Sequence, residues 1–454
     1  RMSAFKDLLV INIAGLGRAS LGNRTPNLSK LAAGGAISAV QPPVPALTST
    51  SQATLLTGSL PTDHGIVANG WYFRELASIL NWQRSARLVN GIPLWETLPD
   101  DVTCANLFWR NSTHASCALK VTERPTYWVD GRKTPDIYTE PADVRNTLVS
   151  ELGKFPLFKF WGPLAGIEST RWIVDATIHT INTRRYGVIL TYLPHLDYDH
   201  QRFGPESEQG NKALLEVDAE AGRLLQIARD REMDVAIVSD YAFERVSKPI
   251  YLNRVLRANG LLETQFAENG ELLEPGASRA FATCDQQIAH IYVHHEDDVE
   301  STRQLLAEQN GVDTVLNRRE MESLGIAHER SGELLAIASA DCWFAYHYWL
   351  DKNNAPDFAP CVAIHDKPGF DPTELLMIPG VKGKLHLARR MAQKSVGQRI
   401  PFDVINTDST AIRGSHGRIP TSDAQRPVLI TSWTRDTCSL VPMQSVREIL
   451  LRRH

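Results

Sequence analysis

The chain has 454 residues, of which 43% are hydrophobic and 22% are charged, and its formal net charge at pH 7 is −4. These are ordinary values for a globular protein, so they exclude a chain that is mainly disordered or a coiled coil. No basic stripe stands out, which argues against binding to a nucleic-acid polymer. The longest apolar runs, at residues 8–13 and 188–193, are too short to span a bilayer.

The first residues predict where the protein works. The segment around Lys6 and Asp7 lacks the layout of a secretory signal peptide. The six cysteines are scattered and form no CxxC pair, so reduced thiols are expected. The sequence therefore predicts a cytoplasmic protein without a membrane partner, and it does not indicate the oligomeric state.

Apolar runs and a periodic helix alternate along the chain. Residues 8–13 are apolar on both faces, which is typical of a buried parallel strand. Residues 187–193 and 234–239 repeat this pattern, and residues 212–229 between them carry apolar side chains at helical spacing. A strand, a helix and a strand in this order form a βαβ unit. The core is therefore predicted to be α/β with a mostly parallel central sheet.

Two stretches interrupt that alternation. Residues 71–175 are rich in aromatic residues and proline, and we expect long loops and short helices laid over the core. Residues 276–328 show a strand, a helix and a strand, which predicts a small cap inserted between core segments 1–275 and 329–454. Residues 333–338 are expected to return to the main sheet.

A glycine pattern follows the first predicted strand. Gly15 and Gly17 begin a GxGxxG-like motif, but Ser20 stands at its third glycine position. The acidic residue expected about 20 positions later in a dinucleotide-binding motif is missing. A tight turn between a strand and a helix explains these glycines, so no dinucleotide site is predicted.

Polar residues stand where the predicted strands end. Asp197 and Asp240 follow the second and third strands, Thr48 follows a Pro-Ala-Leu segment, and His416 lies in a Gly-Ser-His-Gly turn. In α/β folds the carboxyl ends of parallel strands form the active site. A hydroxyl nucleophile surrounded by Asp and His is the layout of metal-assisted phosphoryl transfer. Thr48 as a helix cap, and the two aspartates as strand-end turn residues, remain structural alternatives.

Five motifs in order resemble the alkaline phosphatase superfamily, and most of all its nucleotide pyrophosphatase/phosphodiesterase and phosphonoacetate hydrolase branch. Longer phrases resemble an atypical bacterial subfamily. The resemblance implies a three-layer α/β sandwich with a small α+β cap. The motifs are Thr25-Pro-Asn-Leu, Thr57-Gly with Pro61 and His64-Gly-Ile, Asp197 with Gly204-Pro205, Ser239-Asp240, and Gly414-Ser-His416-Gly.

The resemblance assigns roles to five residues. Thr48 falls at the nucleophile position of the superfamily, and Asn69 matches the asparagine that holds the transferring phosphoryl group. Asp197, Asp240 and His416 match metal ligands. The implied cofactor is a divalent metal, zinc by resemblance, although an oxygen-rich site could also take Mn or Mg.

Three metal-ligand positions depart from the superfamily pattern. Ala14 stands where an aspartate is expected, and Gln201 and Tyr241 stand where histidines are expected. One metal site is therefore expected rather than two, because zinc prefers four ligands.

The sequence predicts a metal-dependent hydrolase that acts on a phosphodiester, a pyrophosphate or a related phosphorus ester through Thr48. Its partner is then a small phosphorylated substrate. The alternative is a non-catalytic or repurposed member that binds a metabolite or a protein in the old cleft, and the three lost ligands favour it.

Overall fold

A computed structural model describes residues 5–435 and 438–452 of the chain. Over these residues the chain forms a nine-stranded sheet, a four-stranded sheet, five two-stranded sheets and the helices around them. The first four residues, on which part of the localisation prediction rests, lie outside this range. The strands in chain order are Leu8–Ile13 (β1), Ala36–Gln41 (β2), Gly70–Phe73 (β3), Ser78–Asn81 (β4), Cys104–Leu107 (β5), Leu119–Glu123 (β6), Thr126–Tyr127 (β7), Lys133–Thr134 (β8), Ile137–Glu140 (β9), Val188–Leu193 (β10), Asp234–Val238 (β11), Glu244–Arg245 (β12), Lys248–Ile250 (β13), Thr264–Ala267 (β14), Gly270–Leu273 (β15), Ala280–Asp285 (β16), Ile288–Val293 (β17), Val312–Leu316 (β18), Leu334–Ala338 (β19), Cys342–Phe344 (β20), Gly414–Ser415 (β21), Val428–Thr431 (β22) and Leu440–Pro442 (β23). The α-helices are Pro26–Gly34 (α1), Thr48–Thr57 (α2), Pro61–His64 (α3), Asp143–Leu152 (α4), Leu157–Phe160 (α5), Ile167–Thr183 (α6), Leu196–Phe203 (α7), Glu208–Asp230 (α8), Leu252–Ala258 (α9), Val299–Ala307 (α10), Arg318–Ser323 (α11), Gly380–Ser395 (α12) and Val446–Leu451 (α13).

The main sheet is mixed, and its centre is parallel. Across the described residues it contains nine strands in the order β23-β2-β22-β11-β1-β10-β5-β6-β9. Strands β11, β1, β10, β5 and β6 pair in parallel, whereas β22 and β9 run antiparallel to their neighbours. All six side chains of β1 are buried, as expected for a strand covered on both faces. The predicted α/β class with a mostly parallel central sheet is confirmed.

Part of the main sheet was not predicted from the sequence. Residues 71–175 were expected to lie over the core, but β5, β6 and β9 extend the sheet on one side. The apolar pattern fails there because β6 buries two charged residues. Lys120 pairs with Glu140 at 3.2 Å, and Glu123 pairs with Arg110 at 2.9 Å. Pairing offsets the cost of burying these charges, so a strand with polar residues becomes a core strand.

The packing of α8 fixes the start of α1. Helix α8 begins four residues before the predicted start, because the Ser207 side chain accepts a hydrogen bond from the Gly210 N–H at its first turn. Thr25 is the N-cap residue of α1, but its side chain makes no cap hydrogen bond. Instead, Asp218 of α8 accepts hydrogen bonds from the N–H groups of Asn27 and Leu28. A carboxylate there complements the positive end of the α1 dipole.

The smaller sheet has its own strands and order. Strands β16, β17, β19 and β18 lie side by side, and all their pairings are antiparallel. The expected return of residues 333–338 to the main sheet is wrong, because β19 pairs with β17 and β18. Its five side chains are all buried and apolar, so the sequence does not distinguish between the two sheets. The cap boundaries at 276 and 328 stay a prediction.

None of the described helices is long and apolar enough to cross a membrane.

The turn after β1 depends on a glycine. Gly15 has φ +69°, and a Cβ added there would clash with Cε2 of Phe243. A left-handed conformation costs a side-chain-bearing residue about 1–2 kcal/mol, and the ring must also move. We therefore expect Gly15→Ala to lower the free energy of unfolding by at least about 1 kcal/mol in denaturant titrations.

A glycine in open space provides the matched control. Gly34 closes α1, and nothing lies within 4 Å of a Cβ added there. We expect Gly34→Ala to leave the unfolding midpoint unchanged or slightly raised. Equal midpoints for the two variants would contradict this account of the turn.

Candidate active site

The site forms where the central parallel strands end. Strands β11, β1 and β10 are neighbours and run in the same direction, so their carboxyl ends meet at one edge. Asp240 follows β11, and Asp197 lies in the first turn of α7, which follows β10. Strand β21 pairs with β12 and so brings His416 to the same edge. This is the edge at which α/β folds bind their ligands.

Thr48 lies at the N-terminus of α2. It is the first residue of that helix and is 4% exposed. The N-cap residue is Leu47, and no side-chain cap bond is made, so the capping alternative for Thr48 does not hold. The Thr48 hydroxyl lies 3.2 Å from the hydroxyl of Tyr241. Free N–H groups and the helix dipole favour an anion at such a position.

Tyr241 connects Thr48 to Asp197. The Tyr241 hydroxyl donates to Oδ1 of Asp197 at 2.6 Å, and the Tyr192 hydroxyl donates to Oδ2 at 3.3 Å. Since the one phenol proton of Tyr241 goes to Asp197, the Thr48 hydroxyl is the donor toward Tyr241. The three groups therefore form a directed chain from Thr48 through Tyr241 to Asp197.

Burial determines the protonation of Asp197 and Tyr241. It raises the pKa of Asp197 to about 7, even though the hydrogen bonds from Tyr241 and Tyr192 act to lower it. Burial, together with the charges of Asp197 and Asp240, raises the pKa of Tyr241 well above its usual value. Tyr241 is therefore a neutral phenol at physiological pH.

Asp240 links the segments that follow strands β1 and β11. Its Oδ1 accepts hydrogen bonds from the N–H groups of Gly15 at 3.3 Å and Tyr241 at 3.2 Å. Its Oδ2 is buried and has no hydrogen-bond partner among the described residues. Burial and the neighbouring Asp197 raise the pKa of Asp240 well above its usual value. These contacts fit the turn role that the sequence leaves open as the alternative to a metal ligand, and one carboxylate oxygen of Asp240 has no partner within the described part of the chain.

His416 packs flat against Tyr241. Their ring centroids are 3.4 Å apart, and the planes differ by 4°. His416 Nδ1 lies 2.8 Å from the carbonyl oxygen of Ala46, so Nδ1 carries the proton and donates it. Burial lowers the pKa of His416 to about 3, so the ring is neutral. His416 therefore fixes the position of the Tyr241 ring.

These residues do not fit the predicted metal site. The Ala14 side chain is a methyl group, and Gln201 donates to the Asp197 carbonyl and accepts from Gln286. Both oxygens of the Asp197 carboxylate accept hydrogen bonds from phenols. Across residues 5–435 and 438–452, no three His, Cys, Asp or Glu side chains come together to hold a metal ion. Asp197, Asp240 and His416 surround Tyr241 instead.

Asn69 lies beside Thr48, as its predicted role requires. Its Oδ1 accepts a hydrogen bond from the N–H of Ser49 at 3.0 Å, next to the nucleophile position. Its backbone N–H and Nδ2 donate to the two oxygens of Asp285 at 3.1 and 3.4 Å. Burial raises the pKa of Asp285 to about 7. Asp285 was not predicted, because it ends a strand of the other sheet and no motif marks it.

A cavity of about 360 Å³ opens at Thr48 and Asp197. Much of its wall comes from the aromatic-rich stretch around residues 71–175. The aromatic side chains that line it are Trp82, Tyr127, Phe158, Phe160, Trp161, Tyr192, Tyr198 and Phe402. Cavities of this size and composition bind small molecules.

Two arginines give one wall of the cavity a positive charge. Arg110 lies 2.9 Å from Glu123, and Nε of Arg84 lies 3.6 Å from it. Burial opposes ionisation of Glu123, yet Arg110 and Arg84 lower its pKa to about 2. Two cations against one carboxylate leave a net positive charge. Arg84 Nε makes no hydrogen bond among the described residues.

Comparison with known proteins identifies the family. Residues 8–371 match type I phosphodiesterase/nucleotide pyrophosphatase. The chain belongs to that family. The predicted resemblance to the nucleotide pyrophosphatase/phosphodiesterase branch is thereby confirmed, and the atypical bacterial subfamily stays a prediction. An uncharacterised pyrophosphatase/phosphodiesterase of Schizosaccharomyces pombe is 21% identical to this phosphodiesterase-family chain over 264 residues. That match covers 58% of the chain and 49% of the yeast protein, so the chain spans about half the length of this relative.

Solved structures share the fold of this phosphodiesterase-family chain. Phosphonoacetate hydrolase from Sinorhizobium meliloti 1021, in complex with phosphonoformate, superposes with a TM-score of 0.64 at 12% identity, covering 99% of this chain and 96% of that one. Murine ectonucleotide pyrophosphatase/phosphodiesterase 5 superposes with a TM-score of 0.59 at 14% identity, covering 98% and 94%. An inactive form of the murine protein is in complex with AMP. The predicted α/β fold of the alkaline phosphatase type is confirmed.

Proposed function

We propose that this chain hydrolyses a phosphodiester, a pyrophosphate or a related phosphorus ester, with Thr48 as the nucleophile. The observation that carries the proposal is the placement of the Thr48 hydroxyl. It lies at a helix N-terminus, is linked to a carboxylate through Tyr241, and opens into a cavity with a cationic wall. Family membership supports the same reaction class. The predicted metal is not part of this proposal, because the residues do not fit it.

The surroundings of Thr48 suit a phosphoryl group. The N-terminus of α2 attracts negative charge. The Asn69 amide carries two N–H donors, and Asp285 accounts for only one of them. The other is available for a phosphoryl oxygen, which is the role that the resemblance implies. Such preorganised donors stabilise the charge that develops in the transition state.

The cavity indicates the size and character of the substrate. Its aromatic wall favours an apolar or aromatic substituent, and Arg84 with Arg110 favours an anionic group. The fold neighbours bind phosphonoformate and AMP, which are small phosphorus compounds. We therefore propose a small phosphorylated substrate with an apolar or aromatic substituent.

Turnover assays on the full chain test the proposal. We expect release of nitrophenolate from bis(4-nitrophenyl) phosphate, or of phosphate from a nucleoside diphosphate, above the background rate. If neither compound nor a nitrophenyl monoester is turned over, yet a phosphodiester binds in calorimetry, the chain is the non-catalytic binding protein of the alternative hypothesis.

Arg84 provides a test of the cationic wall. Arg84→Met removes one cation but leaves the Arg110–Glu123 pair intact, so the fold should be retained. We expect KM for an anionic diester to rise roughly 3- to 10-fold, or about 1 kcal/mol, with little change in kcat. Arg87→Met is the matched control, since Arg87 is exposed and does not line this cavity. Equal KM values for both variants and the parent would remove Arg84 from the substrate site.

A further inference from the structure

We infer that the Tyr241 hydroxyl, at a position where the family resemblance expects a metal-ligating histidine, activates Thr48 in place of a metal ion. It joins the Thr48 nucleophile to the Asp197 carboxylate and passes the nucleophile's proton to that carboxylate. This inference rests on the proposed function, because it explains how Thr48 becomes reactive.

The geometry of the three groups carries the inference. Tyr241 Oη lies 3.2 Å from Thr48 Oγ1 and 2.6 Å from Asp197 Oδ1. The direction of both hydrogen bonds follows from the single phenol proton. Thr48 is thus connected to the carboxylate by one hydroxyl, with every donor and acceptor in the order that proton transfer needs.

The Tyr241 ring is held so that its hydroxyl cannot turn away. His416 stacks on one face at 3.4 Å, and Phe243 meets the ring edge-on at 5.6 Å. The Nδ1–H of His416 is in turn fixed by the Ala46 carbonyl at 2.8 Å. Supporting contacts of this kind keep a catalytic group within the small displacement that reaction tolerates.

The surrounding residues suit a hydroxyl bridge better than a cation. Asp197 gives both carboxylate oxygens to phenols, Oδ1 to Tyr241 and Oδ2 to Tyr192. Gln201, at a predicted ligand position, is held by the Asp197 carbonyl and by Gln286, which accepts from Ser415. The Asp197 carboxylate and the Gln201 amide are therefore engaged in hydrogen bonds, and Oδ2 of Asp240 is the carboxylate oxygen of this site that has no hydrogen-bond partner among the described residues.

The chemical step balances without another reactant. The Thr48 oxygen forms a bond to phosphorus, and the bond between phosphorus and the leaving oxygen breaks, with its electron pair going to that oxygen. The Thr48 proton moves to Tyr241 Oη while the Tyr241 proton moves to Asp197. Water then attacks phosphorus, and the bond between phosphorus and the Thr48 oxygen breaks, with its electron pair going to that oxygen. The Thr48 oxygen regains a proton from Asp197 through Tyr241, and one proton of the water passes to solvent.

The two proton transfers must occur together. Tyr241 has one phenol proton and donates it to Asp197 at 2.6 Å, so its oxygen can accept the Thr48 proton only as it releases its own.

Removal of single hydroxyls tests the bridge. Tyr241→Phe keeps the ring and its stacking but breaks the connection from Thr48 to Asp197. We expect the single-turnover rate with bis(4-nitrophenyl) phosphate to fall about 10²- to 10³-fold, with KM within about threefold of the parent value. Tyr192→Phe is the matched variant. It removes a hydroxyl that donates to the same Asp197 carboxylate, but it leaves the hydrogen bond between Thr48 and Tyr241 in place. Its rate should fall less than about tenfold.

A solvent isotope measurement separates a proton bridge from a merely structural role. The rate is measured in mixtures of H₂O and D₂O and plotted against the fraction of D₂O. The parent plot should be curved, because two protons move in the step, and the Tyr241→Phe plot should not be curved. A parent rate that falls in a straight line, or a Tyr241→Phe variant as active as the parent, would overturn the inference.

Zinc titration decides the metal question without any turnover. We expect the parent and the Asp197→Asn variant to take up the same amount of zinc, because no zinc binds at Asp197. We also expect the parent to keep its activity after treatment with a chelator. One bound zinc equivalent that depends on Asp197, or activity that zinc restores after chelation, would overturn the inference but leave the proposed function standing. If no ester is turned over, the proposed function fails and the inferred proton transfer fails with it, whereas the zinc titration still shows whether Asp197 holds a metal ion.

Discussion

Replacing Thr48 with alanine is expected to lower turnover of any phosphoester substrate by at least about 10³-fold. In the proposed mechanism the Thr48 oxygen attacks phosphorus, so the covalent step cannot begin in a variant that lacks this oxygen. The residual rate would come from substrate binding and from the donors around the phosphoryl group. The measurement is the kcat of the parent and the variant with the same diester, in protein freed of contaminating phosphatase by a second purification step.

Folding of the Thr48→Ala variant should be nearly unchanged. Thr48 makes no cap bond, and alanine is a good residue for the first turn of α2. Thr48→Ser is the matched control, because it keeps the hydroxyl and should retain much of the activity. Full activity of the alanine variant with an unchanged fold would exclude Thr48 as the nucleophile.

Replacing Asp197 with asparagine is expected to lower activity and to raise stability at alkaline pH. Asparagine cannot take the proton from Tyr241, so kcat should fall at least about 10²-fold. Burial raises the pKa of Asp197 from 3.8 to about 7 in the folded chain. The neutral carboxyl is therefore favoured by folding, and its stabilising effect is full below pH 3.8 and is lost as the pH rises through about 7.

Asparagine is neutral at every pH, so the free energy of unfolding of the Asp197→Asn variant should not fall in this way as the pH rises. We expect the free energies of unfolding of the two proteins to be similar near pH 4 and to differ by on the order of 3–4 kcal/mol at pH 8 in favour of the variant. Asp199→Asn is the control, since Asp199 lies two residues along α7 and pairs with Arg202 outside the bridge. A difference that does not change with pH would show that Asp197 is not destabilised by its burial.

The central part of the fold could be predicted because its signal is local. Strands β1, β10 and β11 are apolar on both faces, and the apolar face of α8 follows the helical period. Strand β6 lacks this apolar pattern, because it contains Lys120 and Glu123. Their burial depends on charged partners that lie in other segments of the chain. Strand β19 was recognisable as a buried strand, but its sheet depends on pairing that no single segment specifies.

The positions of the site residues could be predicted, but their connections could not. Thr48, Asp197, Asp240 and His416 meet at one edge of the sheet because strand ends and one turn bring them there. Which groups touch depends on side-chain directions that the sequence does not fix. Tyr241 stands at a position where the resemblance expects a histidine, yet only the structure places its hydroxyl between the Thr48 hydroxyl and the Asp197 carboxylate.

Trapping the covalent intermediate tests the central claim most directly. The full chain would be mixed with bis(4-nitrophenyl) phosphate, quenched with acid within milliseconds to seconds, digested and examined by peptide mass spectrometry. A nitrophenyl phosphoryl group on Thr48, formed and lost at rates that account for kcat, is the predicted result, and the Thr48→Ala protein should carry none. Steady turnover with the modification on another residue, or with no modified peptide at any quench time in parallel with a detectable synthetic standard, would contradict it.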